Sequence, residues 1–337
     1  MKSATTALTP ALSPREREER MPRWEKEIAA PHSDAPISET EKRGGDATSE
    51  RISEERNCGL PLPGERAGVR ADNPQNKSPS LPRISPLLLR WFTWYSRRYL
   101  RSHFHSLRVS LAGLPPHTRG LPLIIYSNHA SWWDPLVCLV IKDEFFPDRN
   151  AYAPIDAAML ERYKMFRRFG FFGVEQNSRR GAVQFLRTAE TILQSPGNLL
   201  FVTPQSRFAD VRERPLHFEP GLGHLAARVE HALFVPVVAE YVFWEERLPE
   251  ILVRFGEPVE VSCEHASVFA PDYWKQLFEQ KLETAQDALA AETKLRNPDS
   301  FKSVLSGGAG QGGVYDWWRA LKAKLRGKKF RKEHGRK

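Results

Sequence analysis

Residues 127–134 read Ser-Asn-His-Ala-Ser-Trp-Trp-Asp. Within this stretch His129 and Asp134 are the residue types that proton transfer needs: an imidazole that takes a proton, and a carboxylate that orients it and balances the charge it acquires. Their spacing sets a condition. Five residues of regular helix turn the chain through about 500°, which leaves the two side chains roughly 140° apart. They meet only if His129 lies ahead of a helix. Two local readings place it there. Pro135 suits the first turn of a helix and disfavours helical backbone at Asp134, which would make Asp134 the N-cap. Alternatively, Ser131 to Asp134 is a capping box that starts the helix at Ser131. A third reading leaves Asp134 as a cap alone and His129 as an incidental polar residue.

The apolar run before this stretch, LPLIIY at 121–126, reads as a strand. His129 then stands at the carboxyl end of a strand, where open α/β sheets collect their ligands. No serine sits in a Gly-x-Ser-x-Gly setting, so a base at His129 would act on an external hydroxyl. No His/Cys cluster has metal-ligand spacing, and GGAGQGG at 307–313 lacks the Lys-Ser/Thr of a phosphate-binding loop.

The elements that must position the pair follow from the alternation downstream. Residues 135–145 read as a short helix, and RFGFFGVEQ ends in a strand. GAVQFLRTAETILQS is a helix stopped by Pro196-Gly197, and NLLFVTP is a strand. GLGHLAARVEH is a helix, followed by the strands LFVPVVAEYVF and EILVRFGEPVEV. Residues 272–296 form one long helix. Strands alternating with helices predict an α/β fold with a largely parallel central sheet.

Composition narrows the class. The chain has 337 residues, 41% of them hydrophobic, and a net charge of +9, with a pI near 9.5 and mean hydropathy of −0.50. The basic balance points to an anionic partner. Three scattered cysteines, Cys58, Cys138 and Cys263, fit no disulfide framework and indicate a reducing compartment. No run reaches the ~18 apolar residues of a membrane span, and the amino terminus lacks the apolar centre of a secretory signal.

Residues 1–84 are rich in Arg, Glu, Pro, Ser and Gly without apolar period and are expected to be disordered. Two stretches there resemble translated intergenic repeats of bacterial genomes, which would mean a start set upstream of the true one; a genuine disordered tail is the other reading. Residues 85–113 read as an amphipathic helix in which Leu88, Leu89, Trp91, Phe92, Tyr95, Tyr99 and Phe104 recur at helical spacing beside Arg97, Arg98, Arg101 and Arg108. The α/β domain that holds His129 and Asp134 is placed at 114–300. Residues 301–337 read as a Gly-rich linker and a tail whose last 24 residues hold ten Lys/Arg against two Asp/Glu. Trp317 and Trp318 beside that charge suit an anionic lipid surface; nucleic acid and a merely solubilising end are the competing readings.

The stretch Asn128-His129-Ala-Ser131-Trp-Trp-Asp134-Pro resembles the Asn-His-x-x-x-x-Asp signature of the glycerolipid acyltransferase superfamily, which includes lysophosphatidic acid acyltransferases. The resemblance covers roughly 121–262. It implies that His129 deprotonates an acceptor hydroxyl, that Asp134 supports it, and that the hydroxyl attacks an acyl thioester on CoA or acyl carrier protein. Asn128 and Ser131 match the same signature and are carried over as substrate-binding residues. The family's second block usually ends Val-Asp-Arg; here GFFGVEQNSRRGA puts Gln176 at the arginine, with Arg179 and Arg180 just after. Its third block is typically Phe-Pro-Glu-Gly-Thr-Arg; here it reads FVTPQSRF. Aligned on Arg207, Pro204 stands at the glutamate; aligned on Pro204, Gln205 does. In the family these blocks help hold the acceptor's phosphate, which assigns Arg179, Arg180, Arg207 and Gln205 to substrate binding.

The resulting expectation is an O-acyltransferase resembling the 1-acylglycerol-3-phosphate acyltransferases. It has no cofactor, a lipid acceptor that includes a lysophospholipid among the candidates, acyl-CoA or acyl carrier protein as co-substrate, and an anionic membrane surface as partner. Nucleic acid is not expected. It would work in the cytoplasm, peripherally on the inner face of the plasma membrane. The alternative is a catalytically degenerate member that binds lipid or membrane without turnover.

Overall fold

A computed structural model describes residues 79–118 and 120–309. The expected disorder before residue 79, and the basic tail beyond 309 with Trp317 and Trp318, lie outside the described residues.

Helix α1 (Pro86–His103) opens the fold, with proline in its first turn, where the missing N–H is not needed. It ends because Phe104 turns extended and buries its ring. Residues 106–110, read from sequence as more helix, form strand β1 (Ser106–Ser110). β2 (Leu123–Ser127) follows, then α2 (Asp134–Phe145), β3 (Asn150–Asp156) and α3 (Ala157–Arg162). A 3-10 turn over Lys164–Phe169 leads into β4 (Phe171–Val174), α4 (Arg179–Leu193) and β5 (Asn198–Val202). A long loop and the short α5 (Gly221–Ala226) precede β6 (His231–Val242). β7 (Glu250–Phe255), β8 (Val259–Ser262), α6 (Cys263–Val268), α7 (Pro271–Leu295) and β9 (Phe301–Ser306) complete it.

The sheet runs in the order β4-β3-β5-β2-β6-β7-β1-β9, with β8 on β6. Its first five strands are parallel neighbours, Ile124 lying opposite Leu200 on one side and Phe234 on the other. β7 pairs antiparallel with β6 and parallel with β1. All five residues of β2 are buried, as expected of a strand covered on both faces. Its side chains alternate between two cores: Ile124 and Tyr126 join the one shared with α4, α5 and α7, and Leu123 and Ile125 join the one shared with α1 and α2. The mixed α/β fold with a mostly parallel central sheet is therefore present.

Two differences from the sequence reading concern the later strands. Residues 301–306 do not open a linker; they pair antiparallel with β1 as β9, and the Gly307 N–H donates to the His105 carbonyl. EILVRFGEPVEV is two strands, since residues 259–262 leave β7 and pair with β6 instead.

α1 inverts the usual distribution of polarity. Thr93, Ser96 and Leu100 face inward, the Ser96 hydroxyl donating to the Phe92 carbonyl at 2.8 Å. Leu87, Trp91 and Trp94 are 77%, 54% and 59% exposed. They share a face, at steps of three and four, with exposed Arg90, Arg98 and Arg101. Trp91, grouped by spacing with Phe92 and Tyr95, thus points away from the packed side.

Candidate active site

Because β2 to β6 on this side run parallel, their carboxyl ends share one edge. The chain leaves β2 at Ser127, and its next two residues are Asn128 and His129. Asn128 turns inward and is buried. Its amide nitrogen donates to the Ala239 carbonyl and its oxygen accepts from the Ala239 N–H, both at 3.0 Å. This fixes the loop against β6 and gives Asn128 a supporting place rather than the substrate contact expected from the resemblance.

His129 and Asp134 meet. Nδ1 of His129 lies 2.7 Å from Oδ2 of Asp134, and the Ser131 N–H donates to that same oxygen at 3.0 Å. The Trp133 N–H donates to the Ser131 hydroxyl at 3.3 Å. The bond from the Ser131 N–H is the reach-back bond of a capping box running from Ser131 to Asp134; the Ser131 hydroxyl accepts from Trp133 instead of Asp134, whose N–H donates to the Ser131 carbonyl. Asp134 itself is the first residue of α2, preceded by a helical Trp133, so the N-cap reading of Asp134 gives way to the Ser131 reading. Capping and dyad geometry coincide: the carboxylate that ties the turn also holds the imidazole. Ser131 therefore acts inside the turn, through its backbone N–H and its hydroxyl.

The second carboxylate oxygen has a partner that sequence reasoning did not find. Tyr241 of β6 donates its hydroxyl to Asp134 Oδ1 at 2.5 Å. Burial, and then the charge of Asp134, push this phenol well above its usual range, so it stays protonated. The Cys138 thiol, one turn along α2 from Asp134, is pushed up to about 12 by burial and by the Asp134 charge, and it fills space as a small neutral group. Asp134 also lines a small apolar cavity with Val137, Cys138, Phe201, Val237 and Ala239.

The loop after β5 closes over the imidazole. The Ala209 N–H donates to the His129 carbonyl at 2.9 Å, and the half-exposed Phe208 ring lies 4.3 Å from the imidazole, centre to centre. Two expected substrate residues belong to this loop. Gln205 is buried, and neither its amide oxygen nor its nitrogen has a protein partner. Ser206 beside it has φ of 53°, a left-handed conformation that is uncommon for a residue with a Cβ. Arg207 is exposed and committed to Glu213 through both of its terminal nitrogens. Arg212 is likewise paired with Asp210, and Arg214 with Asp287.

Arg179 and Arg180 stand elsewhere on the same edge. They open α4 after Ser178, whose hydroxyl accepts from the Gly181 N–H at 2.9 Å, and both are exposed. Only glycine fits at 181, since a Cβ there would come within 1.9 Å of the Glu175 carbonyl oxygen. β3 and β5 separate β4, which leads into α4, from β2. The structure thus gathers Asn128, His129, Ser131, Asp134, Gln205 and Arg207 around the end of β2 and leaves Arg179 and Arg180 after β4, with two strands between.

Behind the turn, Trp132 and Trp133 stack at 4.1 Å. Trp133 packs edge-on against Phe104 at 4.9 Å and lies 5.4 Å from Tyr99 of α1. These tryptophans join the site to the helix that carries the exposed aromatic face. Among the described residues no group of His, Cys, Asp and Glu could hold a metal ion, and no helix is long and apolar enough to cross a membrane.

No curated protein matches the sequence. The family model described as Acyltransferase matches residues 108–240, a span that begins in β1, ends in β6 and includes His129 and Asp134, so over these residues the chain is similar to that family.

Proposed function

We propose that this protein moves a fatty acyl group from a thioester, on CoA or acyl carrier protein, to the hydroxyl of a lipid acceptor. The observation that carries the reading is the 2.7 Å contact between His129 Nδ1 and Asp134 Oδ2. With Nδ1 turned to the carboxylate, Nε2 is the atom left to take the acceptor's hydroxyl proton. The deprotonated oxygen attacks the thioester carbonyl carbon, a C–O bond forms, and the C–S bond breaks. The departing thiolate takes the proton back from the imidazolium, which Asp134 stabilises in the interval. No enzyme-bound acyl group is needed.

Gln205 supports an acceptor contact, because a buried amide with neither end satisfied suits a ligand that supplies the missing hydrogen bonds. Arg207 meets an anion only by exchanging or sharing Glu213, so a lysophospholipid phosphate competes there with a carboxylate of the chain itself. Arg179 and Arg180 are the more available cations for an anionic acceptor or carrier. The exposed tryptophans and arginines of α1 fit a peripheral place on an anionic membrane surface, which in the cell would be the inner face of the plasma membrane.

The experiment is incubation of the protein with labelled acyl-CoA, or labelled acyl carrier protein, and a total lipid extract. A labelled ester whose formation depends on the protein is expected, and its identity names the acceptor. Release of free thiol without any new ester, with either donor, would overturn the reading.

A further inference from the structure

The reading of His129 and Asp134 as base and partner leaves one well-placed residue without a role, and the inference rests on that reading. We propose that Tyr241 is the third member of the pair, a positioning residue whose phenol holds Asp134 Oδ1 while Oδ2 serves His129.

The carboxylate is 5% exposed and has three donors. The His129 ring and the Ser131 N–H share one oxygen, at 2.7 and 3.0 Å, and the Tyr241 hydroxyl takes the other at 2.5 Å. Take the phenol away and Oδ1 loses the one hydrogen bond it makes in the structure, beside a cavity whose lining is mostly apolar, with Ser127, Asn128 and Cys138 as its other polar residues. A buried charged oxygen without a partner is unfavourable, so the carboxylate would turn or draw in water. Either change alters the direction from which it meets the imidazole.

The placement is built in two ways. Asn128 clamps Ala239, and Tyr241, two residues on, projects from the same face of β6. The residue next to the base is therefore what sets the height of the phenol beside the acid. Phe104 lies 5.8 Å from the Tyr241 ring, centre to centre, and closes its outer side. The phenol also stays protonated for the reasons given above, so it donates throughout the working range.

A donor on Oδ1 draws negative charge away from Oδ2. The imidazolium is then held less tightly, and His129 returns its proton more readily to the departing thiolate. Without the phenol, the carboxylate presents its full charge to the ring, and His129 keeps its proton to higher pH. Other groups near the pair do not change with the substitution. Cys138 on α2 is neutral. Arg207 and Asp210 on the covering loop are paired with Glu213 and Arg212. His103 and Tyr99 of α1 lie beyond Trp133.

The test compares the full-length wild type with Tyr241→Phe, and with 3-fluorotyrosine placed at 241, which keeps the ring and strengthens the donor should the phenylalanine variant fail to fold. Two readouts are taken: the pH profile of kcat/KM for acyl transfer, and the NMR titration of the His129 ring, which needs no turnover. The expected result is a move of both midpoints to higher pH with phenylalanine, by about half a unit or more, and to lower pH with fluorotyrosine. Unmoved His129 titrations in the folded variants would overturn the role of Tyr241. If the ring titration moves as expected while folded His129→Ala still transfers acyl groups, the Tyr241 coupling stands and the assignment of His129 as base falls.

Discussion

Asn128 and Ala239 exchange two hydrogen bonds of 3.0 Å, one in each direction, which locks the loop that carries the histidine to the strand that carries Tyr241. A side-chain amide here copies the pairing a neighbouring strand would have made, beyond the point where β2 ends.

Asn128→Ala should lose this lock. It leaves the Ala239 N–H and carbonyl unpaired in a buried place, at about 1–3 kcal/mol for each group left without a partner. Thermal denaturation should show a lowered midpoint, and acyl transfer should fall even where the variant remains folded, because the base then moves relative to the acid. A variant with wild-type stability and wild-type kcat would contradict the supporting place given to Asn128.

Asp134→Asn separates the two duties of the carboxylate. If the acid only completes the capping box, the substitution lowers stability by about 1 kcal/mol and leaves turnover alone. If it also orients and charge-balances the imidazole, kcat falls on the order of 10³-fold or more in a protein that still folds. The second outcome is expected. Circular dichroism melting and a thiol-release assay on the same preparation tell them apart.

The membrane-facing role of α1 predicts a change that leaves chemistry untouched. Replacing Trp91 and Trp94 together by serine removes apolar groups that are already more than half exposed, so folding should be little affected. Binding to vesicles containing phosphatidylglycerol should weaken at least about tenfold, a difference of ~1.4 kcal/mol, and wild-type binding should weaken with added salt because arginines share that face. Turnover on a detergent-dispersed acceptor should be unchanged. Vesicle sedimentation measures the first two, and equal binding by variant and wild type would remove α1 from the membrane contact.

Much of this was legible before any coordinates, for physical reasons that can be named. β2 is short, apolar as far as Tyr126 and followed by polar residues, so its end was clear, and the requirement that His129 precede a helix put the pair at the carboxyl edge. α7 announced itself over 25 residues because its apolar positions recur at helical spacing without interruption. Tyr241 stayed hidden because its strand is apolar on both faces; the alternation groups it with Val237 and Ala239, but nothing in one sequence says which face meets Asp134. β9 was taken for linker because the glycines after 306 outweighed a six-residue strand whose partner, β1, lies some 200 residues earlier. The outward turn of Trp91 was open for a different reason: spacing identifies an apolar stripe but does not say whether it meets the core or a membrane surface, and in α1 Thr93, Ser96 and Leu100 are the buried residues.

The central claim is that the His129 imidazole takes the acceptor's proton. The most direct measurement is the rate of acyl transfer by His129→Ala against wild type at saturating acyl donor, with the acceptor identified from the lipid extract. The account predicts a fall of about 10²–10⁴-fold in a protein whose melting midpoint and circular dichroism match the wild type. Wild-type-like turnover by that folded variant would contradict it.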